Sequence, residues 1–99
     1  MKWRYQPVFS DDEVGRCYSL CECYFDQDGK LEAWTENSEI GPSGNSLDDL
    51  RGDLAHMLAD AYKWKPVEFA TLTVGMTFEP SGVDVEHIIS AIWRARATS

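Results

Sequence analysis

The stretch from Tyr18 to Leu58 reads as strand, tight turn, strand, loop and capped helix, and it leaves the chain few folds to choose from. From Arg16 to Asp26 the side chains alternate with the period of a β-strand. Cys17, Ser19, Cys21, Cys23 and Phe25 share one face, and Tyr18, Leu20, Glu22 and Tyr24 the other. Asp26-Gln27-Asp28-Gly29 supplies turn formers and a glycine that accepts positive φ, so residues 31–36 are expected to return antiparallel as a hairpin. In that return Leu31, Ala33 and Thr35 oppose Glu32, Trp34 and Glu36. Beyond the breaker run Gly41-Pro42-Ser43-Gly44-Asn45, Ser46 can cap a helix with Asp49 at its third position. Leu47, Leu50, Leu54, Met57, Leu58 and Ala61 then recur at helical spacing, which predicts a buried stripe, and Pro66 stops the helix near Trp64.

The flanking segments complete a sheet and a second helix. Trp3, Tyr5 and Phe9 alternate with Arg4, Gln6 and Val8 as a strand, and Pro7, lacking a ladder donor, points to an edge strand or an early end. Ala70, Leu72, Val74, Met76 and Phe78 alternate with Thr71, Thr73, Gly75 and Thr77, which predicts a strand over 70–78 with Gly75 at a bulge or close approach. Val85, Ile88, Ile89, Ile92 and Trp93 give the apolar stripe of a second helix. The order βββαβα predicts an α+β fold: a four-stranded, mainly antiparallel sheet with two helices on one face, packed over the small side chains of the cysteine face. A chain of 99 residues holds one such domain, spanning 1–99.

Charge narrows the class of partner. Residues 11–60 carry 13 acidic side chains against Arg16, Lys30 and Arg51, a net −10 within a chain whose total is −8. Such a field repels phosphate backbones, so direct nucleic-acid binding is not expected. It attracts basic proteins and speeds their association. No window reaches the roughly 18 apolar residues of a membrane span, and the N-terminus lacks the apolar run of a signal peptide, so the expected location is cytoplasmic.

Catalytic chemistry has little support. Cys21 and Cys23 stand about 6.6 Å apart along a strand of ~3.3 Å rise, and no C-x-x-C or H-x-x-x-H accompanies them, so the cysteines read as small buried hydrophobes. Asp53, His56 and Asp60 share a helix face and could form a weak metal site, but the expected reading is a solvated polar face. His87 reads as surface or capping, and Asp26-Gln27-Asp28-Gly29 lacks the distal glutamate of a calcium loop. No phosphate-binding or nucleophile motif is present, so the chain reads as non-enzymatic, without cofactor or metal. With the cysteine face turned inward, Tyr18, Tyr24 and Trp34 would project outward beside Glu22, Glu32 and Glu36 as a partner surface, joined by Asp49, Asp53 and Asp60 of the acidic helix. A second copy of the chain is an alternative occupant, giving a homodimer.

The run Tyr18 to Lys30, the segment Ala33 to Asn37, the helix start Ser46 to Leu58 and Lys65-Pro66-Val67 resemble a group of small bacterial proteins distantly similar to the N-terminal domain of HicB-type antitoxins. The resemblance covers roughly residues 3–68. It implies a partial ribonuclease-H-like βββαβ fold and a role in neutralising a small basic nuclease. Full antitoxins of that type continue into a DNA-binding module, whereas residues 83–97 supply a single helix, so operator binding is not implied. The alternative function is a phage-type inhibitor that mimics nucleic-acid charge to block a nucleic-acid-binding complex.

Overall fold

A computed structural model describes residues 2–35 and 41–97. The fold is α+β: β1 (Lys2–Asp11), β2 (Arg16–Phe25), β3 (Leu31–Trp34), α1 (Leu47–Lys63), β4 (Val67–Glu68), a 3-10 turn (Phe69–Thr71) and α2 (Val85–Ala97). The four strands form one mixed sheet in the order β3-β2-β1-β4, antiparallel except where β4 runs parallel to β1.

Local chemistry sets the turns. Asp12 Oδ1 accepts from the amides of Val14 and Gly15 at the β1–β2 turn. At the β2–β3 turn Asp26 Oδ1 accepts from Asp28 and Lys30, and Gly29 takes φ +79°. Ser46 caps α1, its hydroxyl accepting from Asp49 N at 3.1 Å, and Asp48 and Asp49 lie at the positive end of the helix dipole. Asp84 caps α2 in the same way, through His87 N.

Pro7 lies in an interior strand, not at an edge. The amide of Tyr5 points away from β2, to Asp60, and by alternation the position of the missing Pro7 amide points the same way. β4 pairs only from Val8 onward, so Pro7 sits in the gap between α1 and β4, where no ladder donor is required.

The two sheet faces are covered differently from the sequence reading. Val8, Cys21, Cys23, Phe25 and Leu31 are buried, but their cover is the segment after α1: Leu72 and Phe78, with Trp64, Val67, Phe69 and Met76 packed around them. The helices do not lie over the cysteines. α1 instead packs beside β1, its polar side chains meeting Trp3 and Tyr5 on the opposite face, and α2 rests on α1. Among the described side chains of α2, Val85, Ile88 and Ile89 are half-buried; Ile92 and Trp93 of the expected stripe lie outside them.

The expected strand over 70–78 does not form. Leu72 and Phe78 of its alternating set are buried and Met76 half-buried, but Ala70 and Val74 are exposed, because the chain turns at Gly75, with φ +93° and Met76 N bonded to Thr73 O. The turn delivers Gly75 N to Leu31 O at 2.7 Å and Met76 O to Leu31 N at 2.8 Å, closing the outer edge of β3.

Those bonds also explain a β-bulge. Phe25 pairs with Leu31 and Tyr24 with Ala33, leaving Glu32 as the extra residue. Trp34 therefore stands opposite Cys23 and packs against the core, where simple alternation had turned it outward.

A core closed by the 72–78 segment makes a graded stability prediction. Phe78→Ala is expected to cost about 3–5 kcal/mol and Leu72→Ala about 2–5 kcal/mol, whereas Val74→Ala, at a position 66% exposed, stays within about 0.5 kcal/mol. Urea denaturation of the three variants checks this, and a large loss in Val74→Ala would contradict the turn at Gly75.

Candidate functional site

The helix face read from sequence as solvated is the one that joins α1 to the sheet. Tyr5, 3% exposed, donates its hydroxyl to Asp53 Oδ1 at 2.5 Å, and its amide to Asp60 Oδ2 at 3.0 Å. His56 Nε2 also lies 3.0 Å from Asp60 Oδ2. The imidazole packs against the rings of Trp3 and Tyr5, each with centroids 5.1 Å away. Asp53 is held from a second side by Ser43 N at 2.9 Å. The Tyr5 hydroxyl, then the Ser43 amide, keep the Asp53 carboxyl below its ordinary pKa. Burial, then the bond to Asp53, push the Tyr5 phenol well above its ordinary value.

The expected partner residues accordingly divide. Asp60 is buried and committed to Tyr5 and His56, and Asp53 is half-buried and committed to Tyr5 and Ser43, so neither offers a free carboxylate at the surface. Trp34 faces the core. Tyr24 and Glu22 are half-buried and bonded to one another, Tyr24 hydroxyl to Glu22 Oε2 at 2.7 Å, which raises the Tyr24 pKa. Glu32, Asp49 and Tyr18 are exposed, Tyr18 at 61%. Glu36 lies outside the described residues.

Turning the polar face inward turns the leucines outward. Leu47, Leu54 and Leu58 are exposed at 58, 47 and 36%, contrary to the expected buried stripe, while Met57 is buried and Leu50 half-buried. Ala61 continues their face into a shallow groove of about 370 Å³ whose other walls include Pro7, Tyr18, Leu20 and Pro66. Phe9 packs against Tyr18 nearby, with the Arg16 guanidinium 4.0 Å over the Phe9 ring. The exposed leucines and the Ala61 groove thus share one face of α1. Exposed Asp48 and Asp49 border its beginning. Periodicity marked these leucines correctly as one face; which way that face points was not encoded locally.

Cys21 and Cys23 are 2% and 0% exposed, their sulfurs 3.5 Å apart, whereas Cys17, expected to be buried with them, is exposed at the start of β2. The neighbouring Cys21 sulfur, then burial, push the Cys23 thiol far up, which leaves it an inert core side chain. Among the described residues no group of three or more His, Cys, Asp and Glu side chains is arranged to hold a metal ion, and no helix is long and apolar enough to cross a membrane. No family model, curated protein or solved structure matches the chain.

The Tyr5–Asp53 bond predicts a particular pH dependence. Asp53 has a folded pKa below its unfolded value, so its contribution is present above about pH 4 and is lost as the pH falls through the folded pKa. Tyr5 has a raised folded pKa, so its contribution is full below about pH 10 and is lost above it. Wild type should therefore exceed Tyr5→Phe in stability across a plateau between those limits and converge on it at both ends. Chemical denaturation of both proteins across that range measures the difference.

Proposed function

We propose that the chain is a non-enzymatic binding protein that takes a basic protein partner, in the antitoxin-like manner implied by the HicB-type resemblance, and that it acts in the cytoplasm. The observation that carries this reading is the outward apolar stripe of α1. Three exposed leucines on one helix face, with Ala61 of the same face lining a groove against Tyr18 and Leu20 of the sheet, present apolar area that a partner would remove from water. A few residues at the centre of a surface carry most of the energy of protein association, Tyr among the types enriched there, which Tyr18 supplies beside the leucines. Charge selects among occupants. The stripe starts beside Asp48 and Asp49 in the −10 half of the chain, so a second copy, itself at −8, meets like charge, and a basic amphipathic segment meets opposite charge. The βββαβ order of the first five elements agrees with the fold implied by the resemblance.

The test uses the chain as bait against lysate of its source organism at low and moderate salt, beside the double variant Leu54→Ser/Leu58→Ser and the double variant Asp48→Asn/Asp49→Asn. Both pairs are exposed, so each variant should remain folded, with stability changes within about 1 kcal/mol by circular dichroism. The expected result is one basic protein retained by wild type, lost at least about tenfold with the leucine variant and bound with weaker salt dependence by the acidic variant. Retention of no basic protein, or equal retention by the leucine variant, would overturn the reading. Sedimentation showing a dimer abolished by the leucine changes would assign the stripe to self-association instead.

A further inference from the structure

Three cations gather at one place in a chain that has 17 acidic side chains against 9 basic ones. Lys2 and Arg4 at the start of β1 and Lys63 in the last turn of α1 line a groove of about 420 Å³. β4 does not reach this end of β1, so the groove lies beside an unpaired strand edge with α1 as its far wall. Trp3, 44% exposed, and Trp64 add aromatic walls. Among the described residues no carboxylate lies within 4.0 Å of the nitrogens of Lys2, Arg4 or Lys63, although acidic side chains pair Arg16, Arg51 and Lys65 elsewhere.

The Arg4 guanidinium is unusually placed. It lies 3.3 Å over the Trp64 ring, 4.5 Å from the Phe25 centroid and 5.3 Å from that of Phe78, a half-buried cation held by aromatic faces. Burial lowers its pKa, which reports the same loss of water. Two donors of this stack, Arg4 Nε and Trp64 Nε1, are buried without an acceptor among the described residues. Buried donors without acceptors are costly and uncommon.

One carboxylate lines the groove, that of Asp60, and its Oδ2 already accepts from Tyr5 N and lies 3.0 Å from His56 Nε2. Three cations against Asp60 leave the lining at +2 with His56 neutral. The groove is rich in donors and poor in acceptors. Its size falls at the lower end of the range, about 300–1,000 Å³, that takes small molecules.

We infer that the groove between the start of β1 and the end of α1 binds a small oxyanion carried on a planar body, with Lys2, Arg4 and Lys63 holding the charged group and Trp3 stacking on the body. A planar guanidinium suits an oxyanion with two accepting oxygens, and an exposed indole suits a flat, weakly polar partner. A polyanion does not fit, because a phosphate chain leaving the groove would run into the −10 field of residues 11–60. The ligand class is therefore a single phosphate or carboxylate on an aromatic body, separate from the basic protein assigned to the leucine stripe.

The experiment titrates the isolotopically labelled full chain with adenosine monophosphate, adenosine, benzoate and inorganic phosphate, reading amide shifts and tryptophan fluorescence. The expected result is saturable shifts centred on residues 2–4 and 63–64 with adenosine monophosphate or benzoate, and none of comparable affinity with adenosine. Preference between the two distinguishes a phosphate from a carboxylate site. The double variant Lys2→Gln/Lys63→Gln, which alters exposed side chains outside the core, should weaken the better probe at least about tenfold while the rest of the amide spectrum stays unchanged. Absence of saturable shifts with all four probes would overturn the proposal. So would equal affinity for adenosine and its monophosphate, or unchanged affinity in the double variant.

Discussion

The backbone amide of Tyr5 is the point on which the arrangement of the other elements depends. It projects from the side of β1 that β4 reaches only at Val8, so no strand is there to accept it. Asp60 Oδ2 supplies the acceptor from α1. An orphaned buried amide costs about 1–3 kcal/mol, and Asp60, itself buried, needs a donor, which the Tyr5 amide supplies, with His56 Nε2 3.0 Å away. Fixing Asp60 at that edge fixes the rotation of α1. Asp53 and His56, lying seven and four residues earlier, must face Tyr5 and Trp3, and Leu54, Leu58 and Leu47 must face away. The leucines remain partly covered, so only a fraction of the ~1.5–3 kcal/mol available from burying each is forgone.

With α1 committed to the Tyr5 face, the opposite face needs another cover, and the chain after α1 supplies it. Cys21 and Cys23 are short enough for Leu72 and Phe78 to close over them directly, and Phe25 meets Phe78 edge to face at 5.9 Å. The segment is tied at both ends, by Lys65 N to Glu79 O and Ser81 N to Lys63 O near the helix, and by the pair of bonds to Leu31 at the far edge. Gln6, fully buried, joins the layers by donating to Lys65 O at 2.9 Å. Arg4 lies where the cover stops. Its guanidinium stacks on Trp64 and the cysteine-face rings Phe25 and Phe78, and the side chain also lines the groove.

What could be read in advance follows from how local each cause is. The Asp26–Gly29 turn, the Ser46 cap, the stop before Pro66 and the alternation of β2 depend on neighbours in sequence, and each stands where it was expected. Of the alternating set Ala70, Leu72, Val74, Met76 and Phe78, Leu72 and Phe78 do turn inward, but Val74 and Ala70 are exposed because the chain turns at Gly75 instead of pairing. The bulge at Glu32 was not legible, because it answers to the hydrogen bonds that Leu31 accepts from Gly75 and donates to Met76, more than forty residues away. Nor was the direction of α1. A stripe of leucines beside a stripe of Asp and His reads as core beside solvent, and only the unpaired amide of Tyr5 reverses it. The same distinction divides the expected surface: Tyr18, Glu32 and Asp49 stand outside, whereas Trp34 and Asp60 were drawn in by partners distant in the chain.

The reversal of α1 also separates two kinds of surface along one helix. Asp48 and Asp49 occupy its first turn and Lys63 its last, each favoured there by the helix dipole. Seventeen helical residues at 1.5 Å rise separate these ends by about 25 Å, two to three times the roughly 8–10 Å screening length at physiological salt. The fields at the two ends are therefore distinct. Near the first turn, negative charge lies beside exposed leucines. Near the last turn, Lys63 joins Lys2 and Arg4, brought from the other end of the sequence by the pairing of Tyr5 with Asp60. One hydrogen bond to a strand edge thus both exposes the apolar stripe and assembles the cationic groove, and loosening it would disturb both surfaces together.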